Sequence, residues 1–226
     1  MISFEQVDKT FGQLAALDQV NFELKEGEFA FLVGQSGAGK TTLLKLLLRI
    51  YTASAGKVTV DGTDLSEIKK NKIHLYRRKI GIVFQDFRLL ADQNVLENVS
   101  LPLKIAGSDP AVIEKEAEEA LDLVGLKDRL LSFPSQLSGG ELQRVSLARS
   151  IVANPEIVLA DEPTGNLDIE TARDIIGLLK KINQLGKTVI VATHNFDIVD
   201  EMKERVLVLK NGKLISDEKS GKYKLE

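Results

Sequence analysis

The feature that most constrains the fold of this chain is a glycine-rich segment, Gly34–Thr41, which fits the pattern G-x-x-x-x-G-K-[ST]. It lies between a short continuous apolar run, Phe29–Val33, and an apolar segment with helical spacing, Thr41–Ile50. Glycines let the backbone curve so that successive N–H groups point at phosphate oxygens, and the start of the next helix adds positive dipole. The segment therefore predicts a strand–loop–helix unit that cradles the phosphates of a nucleotide.

Two side chains at the end of this loop have predicted roles of their own. Lys40 is expected to reach the β- and γ-phosphates, and the Thr41 hydroxyl is expected to ligate Mg²⁺. A turn without a ligand is the alternative, and the strand–loop–helix context argues against it. The predicted nucleotide-binding set in this part of the chain is Gly34, Gln35, Ser36, Gly37, Ala38, Gly39, Lys40, Thr41 and Thr42.

The rest of the chain alternates strand-like and helix-like segments, which predicts an α/β fold. Lys57–Val60 followed by the Asp61-Gly62 turn predicts a hairpin on an antiparallel edge. Asp109 and Asp168 each precede a segment with helical spacing and are expected to cap a helix. Residues 87–150 look mostly helical and are inserted between strand-rich halves. The strand-like runs are 20–24, 29–33, 80–84, 157–160, 189–192 and 206–209.

Two carboxylates follow the apolar run 157–160. In P-loop enzymes an aspartate at this place, here Asp161, holds Mg²⁺, and a following glutamate, here Glu162, can polarise the attacking water. An acidic turn after a strand is the other interpretation, and the nearby phosphate loop favours the functional one.

Two further polar residues lie just beyond predicted strands. Gln85 follows the run 80–84, and His194 follows the run 189–192. Ligands of parallel sheets gather beyond the carboxyl ends of the strands, so both side chains are candidates for the γ-phosphate region. Each of them alone is equally typical of a surface hydrogen-bonding residue.

A second glycine-rich entry to a helix begins at Leu137-Ser138-Gly139-Gly140. Its N–H groups and serine hydroxyl could bind a phosphate, whereas the simpler interpretation is an ordinary serine N-cap.

Composition excludes several classes of protein. Thirty Lys and Arg against 33 Asp and Glu give a net charge of −3, which offers no basic footprint for nucleic acid and no reason to expect adsorption to anionic lipid. The longest uncharged stretches are 11 residues, whereas a spanning helix needs about 20. The absence of cysteine excludes disulfides and thiolate metal sites. No signal peptide is recognisable, and we expect a soluble cytoplasmic domain.

In this order, the phosphate loop, Gln85, Leu137–Gln143, Asp161-Glu162, Asp168 and His194 resemble the nucleotide-binding domain of an ABC ATPase. The resemblance covers essentially the whole chain. It implies a single domain over 1–226, with a mixed RecA-like core sheet and an antiparallel β subdomain in the core at about 1–86 and 151–226. The inserted helical subdomain is then expected at about 87–150.

The same resemblance implies how the site works. Two chains would pair head to tail around two ATP molecules with Mg²⁺, and Ser138, Gly139 and Gly140 would contact the γ-phosphate held by the other chain. Phe11 lies where the family has a tyrosine that stacks on adenine, with a plain core phenylalanine as the alternative. The implied catalytic residues are Glu162, His194 and Gln85, and the implied metal ligands are Thr41, Gln85 and Asp161.

Two departures from the family pattern stand out. Asn195 replaces the aspartate that commonly follows the histidine, which puts in doubt how His194 is held. Glu141-Leu142 replaces the more frequent Glu-Gln, and neither change removes a catalytic group.

More narrowly, four segments resemble the cell-division branch of this family: Phe31–Leu47, Arg77–Leu90, Leu159–Asp168 and the tail Gly212–Lys224. That branch implies ATP hydrolysis that drives an integral membrane partner to regulate cell-wall hydrolases, with the ATPase peripheral to the cytoplasmic face of the membrane.

The membrane partner is expected to dock beside Gln85, around Phe87, Leu89, Leu90 and Val95.

Two alternatives to the cell-division function stay open. One alternative is a subunit of the lipoprotein-release or macrolide-export type, which shares Gly165-Asn166-Leu167-Asp168. The other is a soluble ABC protein that acts on DNA or ribosomes.

Overall fold

The computed structural model describes residues 1–219, so the end of the tail segment Gly212–Lys224 lies outside the described residues. Within 1–219 the chain forms an α/β fold, as predicted. The strands are β1 Ile2–Phe11, β2 Leu14–Leu24, β3 Phe29–Val33, β4 Ala55–Val60, β5 Thr63–Asp64, β6 Ile80–Phe84, β7 Ile157–Asp161, β8 Thr188–Thr193, β9 Arg205–Lys210 and β10 Lys213–Glu218. The α-helices are α1 Lys40–Leu47, α2 Ile73–Arg77, α3 Val95–Ala106, α4 Pro110–Leu123, α5 Gly139–Ile151, α6 Ile169–Gln184 and α7 Phe196–Met202.

The central sheet has the strand order β10-β9-β3-β8-β7-β6 and is mixed. Strands β9, β3, β8, β7 and β6 are parallel, and β10 is antiparallel at the edge. Every residue of β3 is buried, because both faces of this sheet are covered. Phe29, Phe31 and Val33 belong to the core cluster on one face, and Ala30 and Leu32 to the cluster on the other.

A second sheet, with the order β2-β1-β4-β5, is antiparallel and shares a core cluster with α1. The rings of Phe4 and Phe22 stack in this cluster with their centroids 4.7 Å apart. The predicted hairpin is confirmed as β4–β5. Its turn residues Asp61 and Gly62 both have positive φ, at 49° and 73°, as a tight two-residue hairpin turn requires.

The chain between β6 and β7 holds α3, α4 and α5, which pack against one another. Asn94 and Glu97 form a capping box at the start of α3, and Asp109 accepts a hydrogen bond from the Ala111 N–H at the start of α4. The sequence predicted α4 and its cap. The boundaries of a helical subdomain at about 87 and 150 stay a prediction.

The topology gathers the ends of four parallel strands along one edge of the central sheet. In register, Phe84 pairs with Asp161, Asp161 with Ala192, and Val33 with Thr193. The loops after β3, β6, β7 and β8 therefore emerge side by side, which is where open parallel sheets place their ligands. Within residues 1–219, no helix is both long enough and apolar enough to cross a membrane.

Candidate nucleotide site

The glycine-rich loop connects β3 to α1, as the sequence predicted. Gly39 caps α1 with φ at +108°, a backbone conformation that residues other than glycine rarely adopt. A Cβ atom at this position would lie 2.6 Å from the Ala16 carbonyl oxygen and 2.8 Å from a Leu17 methyl. The loop therefore needs glycine here both for its backbone conformation and for its close packing on β2.

Lys40 points back into the loop and is only 6% exposed. Its Nζ donates to the carbonyl oxygens of Gly34 at 2.6 Å and Gln35 at 3.3 Å. It also forms an ion pair with Glu162 Oε1 at 3.2 Å. The ammonium is thus held in the cradle with one anionic partner, in a place suited to a phosphate oxygen.

Thr41 and Asp161 meet beside the loop, where the threonine hydroxyl donates to the Asp161 carboxylate at 3.1 Å. Burial raises the pKa of Asp161, the Thr41 hydrogen bond opposes that shift, and the neighbouring Glu162 adds to it. Gln85 and Asn166 line the same cavity of about 360 Å³. Asn166 lies in Gly165–Asp168, and no role was predicted for it from the sequence.

This donor set fits Mg²⁺, which prefers oxygen ligands and is usually held by one or two carboxylates together with substrate phosphates. Within residues 1–219, no three His, Cys, Asp or Glu side chains group as a metal site. Thr41, Asp161 and Gln85 would hold the ion jointly with the nucleotide, and the ion would neutralise phosphate charge. Their roles as ligands stay predictions.

The Glu162 carboxylate contacts both Lys40 and His194. His194 Nδ1 lies 2.8 Å from its Oε2, and the His194 N–H donates to the same oxygen at 3.2 Å. The Glu162 backbone has φ at +49°, and its N–H donates to the Ala192 carbonyl at 2.8 Å. A strained backbone persists only where its surroundings hold it, and it is common at active sites.

Phe11 lies at the mouth of the loop and is 40% exposed, so it is not a core residue. Its ring meets the edge-on ring of Tyr51 with centroids 5.0 Å apart. It lines a cavity of about 790 Å³ together with residues 35–42, Gln85, Glu162 and His194. Stacking of this ring on a base stays a prediction. Leu14–Ala16 and Phe196 also line the cavity, and neither was predicted from the sequence.

The second glycine-rich segment does not reach this cavity in the same chain. Ser138 caps α5 by accepting from the Glu141 N–H at 3.3 Å, while Glu141 accepts from the Ser138 N–H and hydroxyl, both at 2.9 Å. These hydrogen bonds lower the pKa of Glu141. Gly139 is exposed, and Gly140 packs against Thr171, whose Cγ2 would lie 2.6 Å from an added Cβ. One chain alone shows the N-cap that the simpler interpretation predicted.

Asn195, the departure after the histidine, has a local role. Its side chain accepts a hydrogen bond from the Ile198 N–H at the start of α7, and its own N–H donates to Thr193 Oγ1 at 3.0 Å. Asparagine and aspartate are equally good N-caps, so this replacement keeps the turn that carries His194.

A lysine inside a glycine-rich loop, a hydroxyl–carboxylate pair and a carboxylate–imidazole pair at one sheet edge define a P-loop ATPase. The profile of the ABC transporter family matches residues 17–165. The chain belongs to the ABC family of ATPases.

Curated relatives named cell division ATP-binding protein FtsE are similar over nearly their full length. The protein of Bacillus subtilis is 47% identical over 224 residues, covering 99% of this chain and 98% of the relative. The protein of Escherichia coli K12 is 46% identical over 215 residues, covering 95% and 97%. The protein of Mycobacterium tuberculosis is 44% identical over 228 residues, covering 100% and 99%.

Solved structures share the fold. The dimeric ATP-binding cassette MJ0796, in a post-hydrolysis state bound to ADP and Pi, is 37% identical with a TM-score of 0.87, covering 99% of this chain and all of that one. The cassette cbiO1 of Clostridium perfringens is 30% identical with a TM-score of 0.90, covering 97% of this chain and 88% of that one.

Proposed function

We propose that the chain is the ATPase subunit of a bacterial cell-division system. An ATP-bound, Mg²⁺-dependent homodimer drives an integral membrane protein resembling FtsX and so regulates cell-wall hydrolases. The observation that carries the ATPase part is the convergence of Lys40 and His194 on Glu162. Sequence identity of 44–47% to the FtsE proteins over nearly the full chain supports the cell-division part.

The side chains divide the chemistry among them. The loop N–H groups and Lys40 bind the phosphates, while Thr41, Asp161 and Gln85 hold Mg²⁺, which offsets phosphate charge when bound. Glu162 accepts the proton of the attacking water, and His194 keeps that carboxylate in place. When the γ-phosphate binds Lys40, the carboxylate gives up its ion pair and becomes free to face the water.

The exposed Ser138 is the reason to expect a dimer. It opens α5, whose N-terminal N–H groups and dipole suit an anion, yet it lies outside the nucleotide cavity of its own chain. In a head-to-tail pair, this N-terminus would complete the site of the other chain. The dimeric state of the similar cassette MJ0796 supports this arrangement.

A groove of about 700 Å³ runs between β6, α2, α3 and α5 and is the proposed docking site of the membrane partner. Its lining combines apolar and basic side chains. Such a groove suits a short cytoplasmic segment with apolar residues and carboxylates. The apolar lining includes Ile82, Phe84, Leu101, Pro102 and Ile105, and the basic lining is His74, Arg77, Arg78, Arg88 and Arg149.

The groove does not match the docking residues expected from the sequence. Val95 is fully buried, so its predicted part in docking is wrong. Phe87, Leu89 and Leu90 belong to the neighbouring loop but do not line the groove. We place the docking site on the other side of Arg88, around Ile105.

The test of this proposal is co-purification in detergent with the FtsX-like protein of the same organism. Ile105→Glu places a carboxylate on a side chain that is 68% exposed in the groove, so recruitment should be lost while the melting temperature stays unchanged. Leu185→Glu is the matched control, since Leu185 is 65% exposed at the end of α6, away from the groove. Retained recruitment of the Ile105 variant would refute the docking site. Recruitment only by a lipoprotein-release or macrolide-export membrane subunit would refute the cell-division role.

A further inference from the structure

Helix α5 contacts both sides of the loop that carries Gln85. On the near side, the fully buried Gln143 donates from Nε2 to the Pro163 carbonyl at 2.7 Å and more weakly to the Phe84 carbonyl at 3.4 Å. Phe84 directly precedes Gln85, and Pro163 directly follows Glu162. One amide group of α5 thus ties together the ends of β6 and β7.

On the far side, Arg149 lies six residues further along α5 and holds the loop by its guanidinium group. Nη1 donates to the Arg88 carbonyl at 2.7 Å, and Nη2 donates to the Phe87 carbonyl at 2.8 Å. Burial partly desolvates the Arg149 guanidinium, and this lowers its pKa. The two carbonyl oxygens accept hydrogen bonds from the partly desolvated charge. The planar fork of arginine suits two adjacent acceptors, which the single ammonium of lysine does not.

The segment held in this way is strained. Phe87 and Arg88 have φ of 56° and 51°, so two consecutive residues other than glycine are in the left-handed region. Such a conformation persists only when neighbouring groups enforce it. The Arg88 guanidinium also lies 3.9 Å from the Phe84 ring centroid and pairs with Asp86 at 3.1 Å, which closes the loop on itself.

We infer that Arg149 is a positioning residue for Gln85. By holding Phe87 and Arg88, it fixes the loop so that Gln85 lines the cavity shared with Thr41 and Asp161. The inference rests on the role proposed above for Gln85. The position of Gln85 would then depend on α5. The first residue of α5, Gly139, follows Ser138, the serine that is expected to contact the γ-phosphate held by the other chain. We call the two hydrogen bonds from Arg149 to this loop the clamp. Through α5, the clamp connects the position of Gln85 in one nucleotide site with the position of Ser138 at the site of the other chain.

A fluorescence experiment tests the clamp without reference to activity. The chain has no tryptophan, so Phe87→Trp provides a single reporter at the clamped segment. Adding Arg149→Lys should shift its emission to the red and increase quenching by acrylamide, because the held conformation becomes roughly tenfold less favoured. Arg144→Lys is the matched control, since the Arg144 guanidinium on the same helix binds the Val124 carbonyl and Asp174 instead. Unchanged emission in the Arg149 variant would overturn the clamp.

A double-mutant cycle on kcat tests whether Arg149 acts through Gln85 and needs no reporter. Arg149→Lys should lower kcat by roughly tenfold while the melting temperature falls by no more than a few degrees, about the size expected for loss of the two hydrogen bonds. Combined with Gln85→Ala, it should lower kcat no further than Gln85→Ala alone, whereas Arg144→Lys combined with Gln85→Ala should behave additively.

A merely structural role for Arg149 would make its loss multiply with that of Gln85→Ala, and this outcome would overturn the inference. Unchanged kcat in the Gln85→Ala enzyme would overturn the proposed role of Gln85. The fluorescence result then shows separately whether the clamp itself exists.

Discussion

Replacing Glu162 by glutamine should slow hydrolysis and at the same time tighten ATP binding. The carboxylate that acts as the proposed base also forms the ion pair with Lys40 at 3.2 Å. Bound ATP must take that position on the ammonium, so the carboxylate competes with the γ-phosphate in the wild-type protein. Glutamine keeps the shape of the side chain but competes weakly and cannot accept the proton.

The expected changes in ATP affinity and in kcat can be estimated from the burial and the proposed role of Glu162. The side chains of Lys40 and Glu162 are 6% and 15% exposed, so solvent screens the pair only slightly. A charge-assisted hydrogen bond of this kind contributes roughly 1.5–3 kcal/mol. Because 1.4 kcal/mol is tenfold in affinity, Glu162→Gln should bind ATP about tenfold to a hundredfold more tightly. Loss of a general base should lower kcat by about 10²–10⁴-fold.

Titration calorimetry with ATP measures the affinity, and phosphate release measures the rate. Light scattering with Mg²⁺-ATP should also report roughly doubled mass for the variant, since unhydrolysed ATP favours the dimer. Glu201→Gln is the control, because its 2.6 Å pair with Arg173 is exposed and contributes little. Affinity equal to or weaker than wild type would refute the competition between carboxylate and phosphate. A wild-type rate would remove Glu162 from the mechanism.

Two further variants test the rest of the site. Lys40→Ala should abolish ATP binding, since it removes the side-chain cation of the cradle, and unchanged binding of a fluorescent ATP analogue would contradict the loop assignment. Ser138→Arg should leave nucleotide binding by the monomer nearly intact and eliminate hydrolysis, because the larger side chain would block the other chain's phosphate. Full ATPase activity in that variant would mean that Ser138 is only a helix cap.

Local pattern was sufficient for the parallel strands of the central sheet, but it missed the edge strand β10 and, in the antiparallel sheet, β1. Strand β6 lies at the predicted positions 80–84, because buried parallel strands are continuous Ile- and Val-rich runs. Strand β1 was missed. Its pairing with β2 shifts register between Phe4 and Val7 and again between Val7 and Lys9, and Gln6 has positive φ. Each irregularity resets the two-residue alternation, so no regular period is visible in the sequence.

The site shows the same division between local and distant information. Sequence spacing placed Gln85, Glu162 and His194 beyond strand ends, and parallel topology brings those ends to one edge. The ion pair of Glu162 with Lys40 joins residues more than a hundred positions apart, and no local pattern encodes it. Val95 was misassigned because its burial depends on how α3 faces the core, which the Asn94 cap alone does not reveal.

The sheet edge described above joins the buried strands of the core to the loops that carry most of the candidate site. Phe84, Asp161 and Thr193 end their strands, and Gln85, Glu162 and His194 come one position later. Substitutions within the strands can accumulate through apolar exchange while the loop chemistry stays in place, and a loop can change without repacking the interior. The cassette cbiO1, at 30% identity and a TM-score of 0.90, shows how far sequence can diverge on this scaffold. Surfaces of this fold can therefore change while the sheet edge and the loops of the nucleotide site are kept.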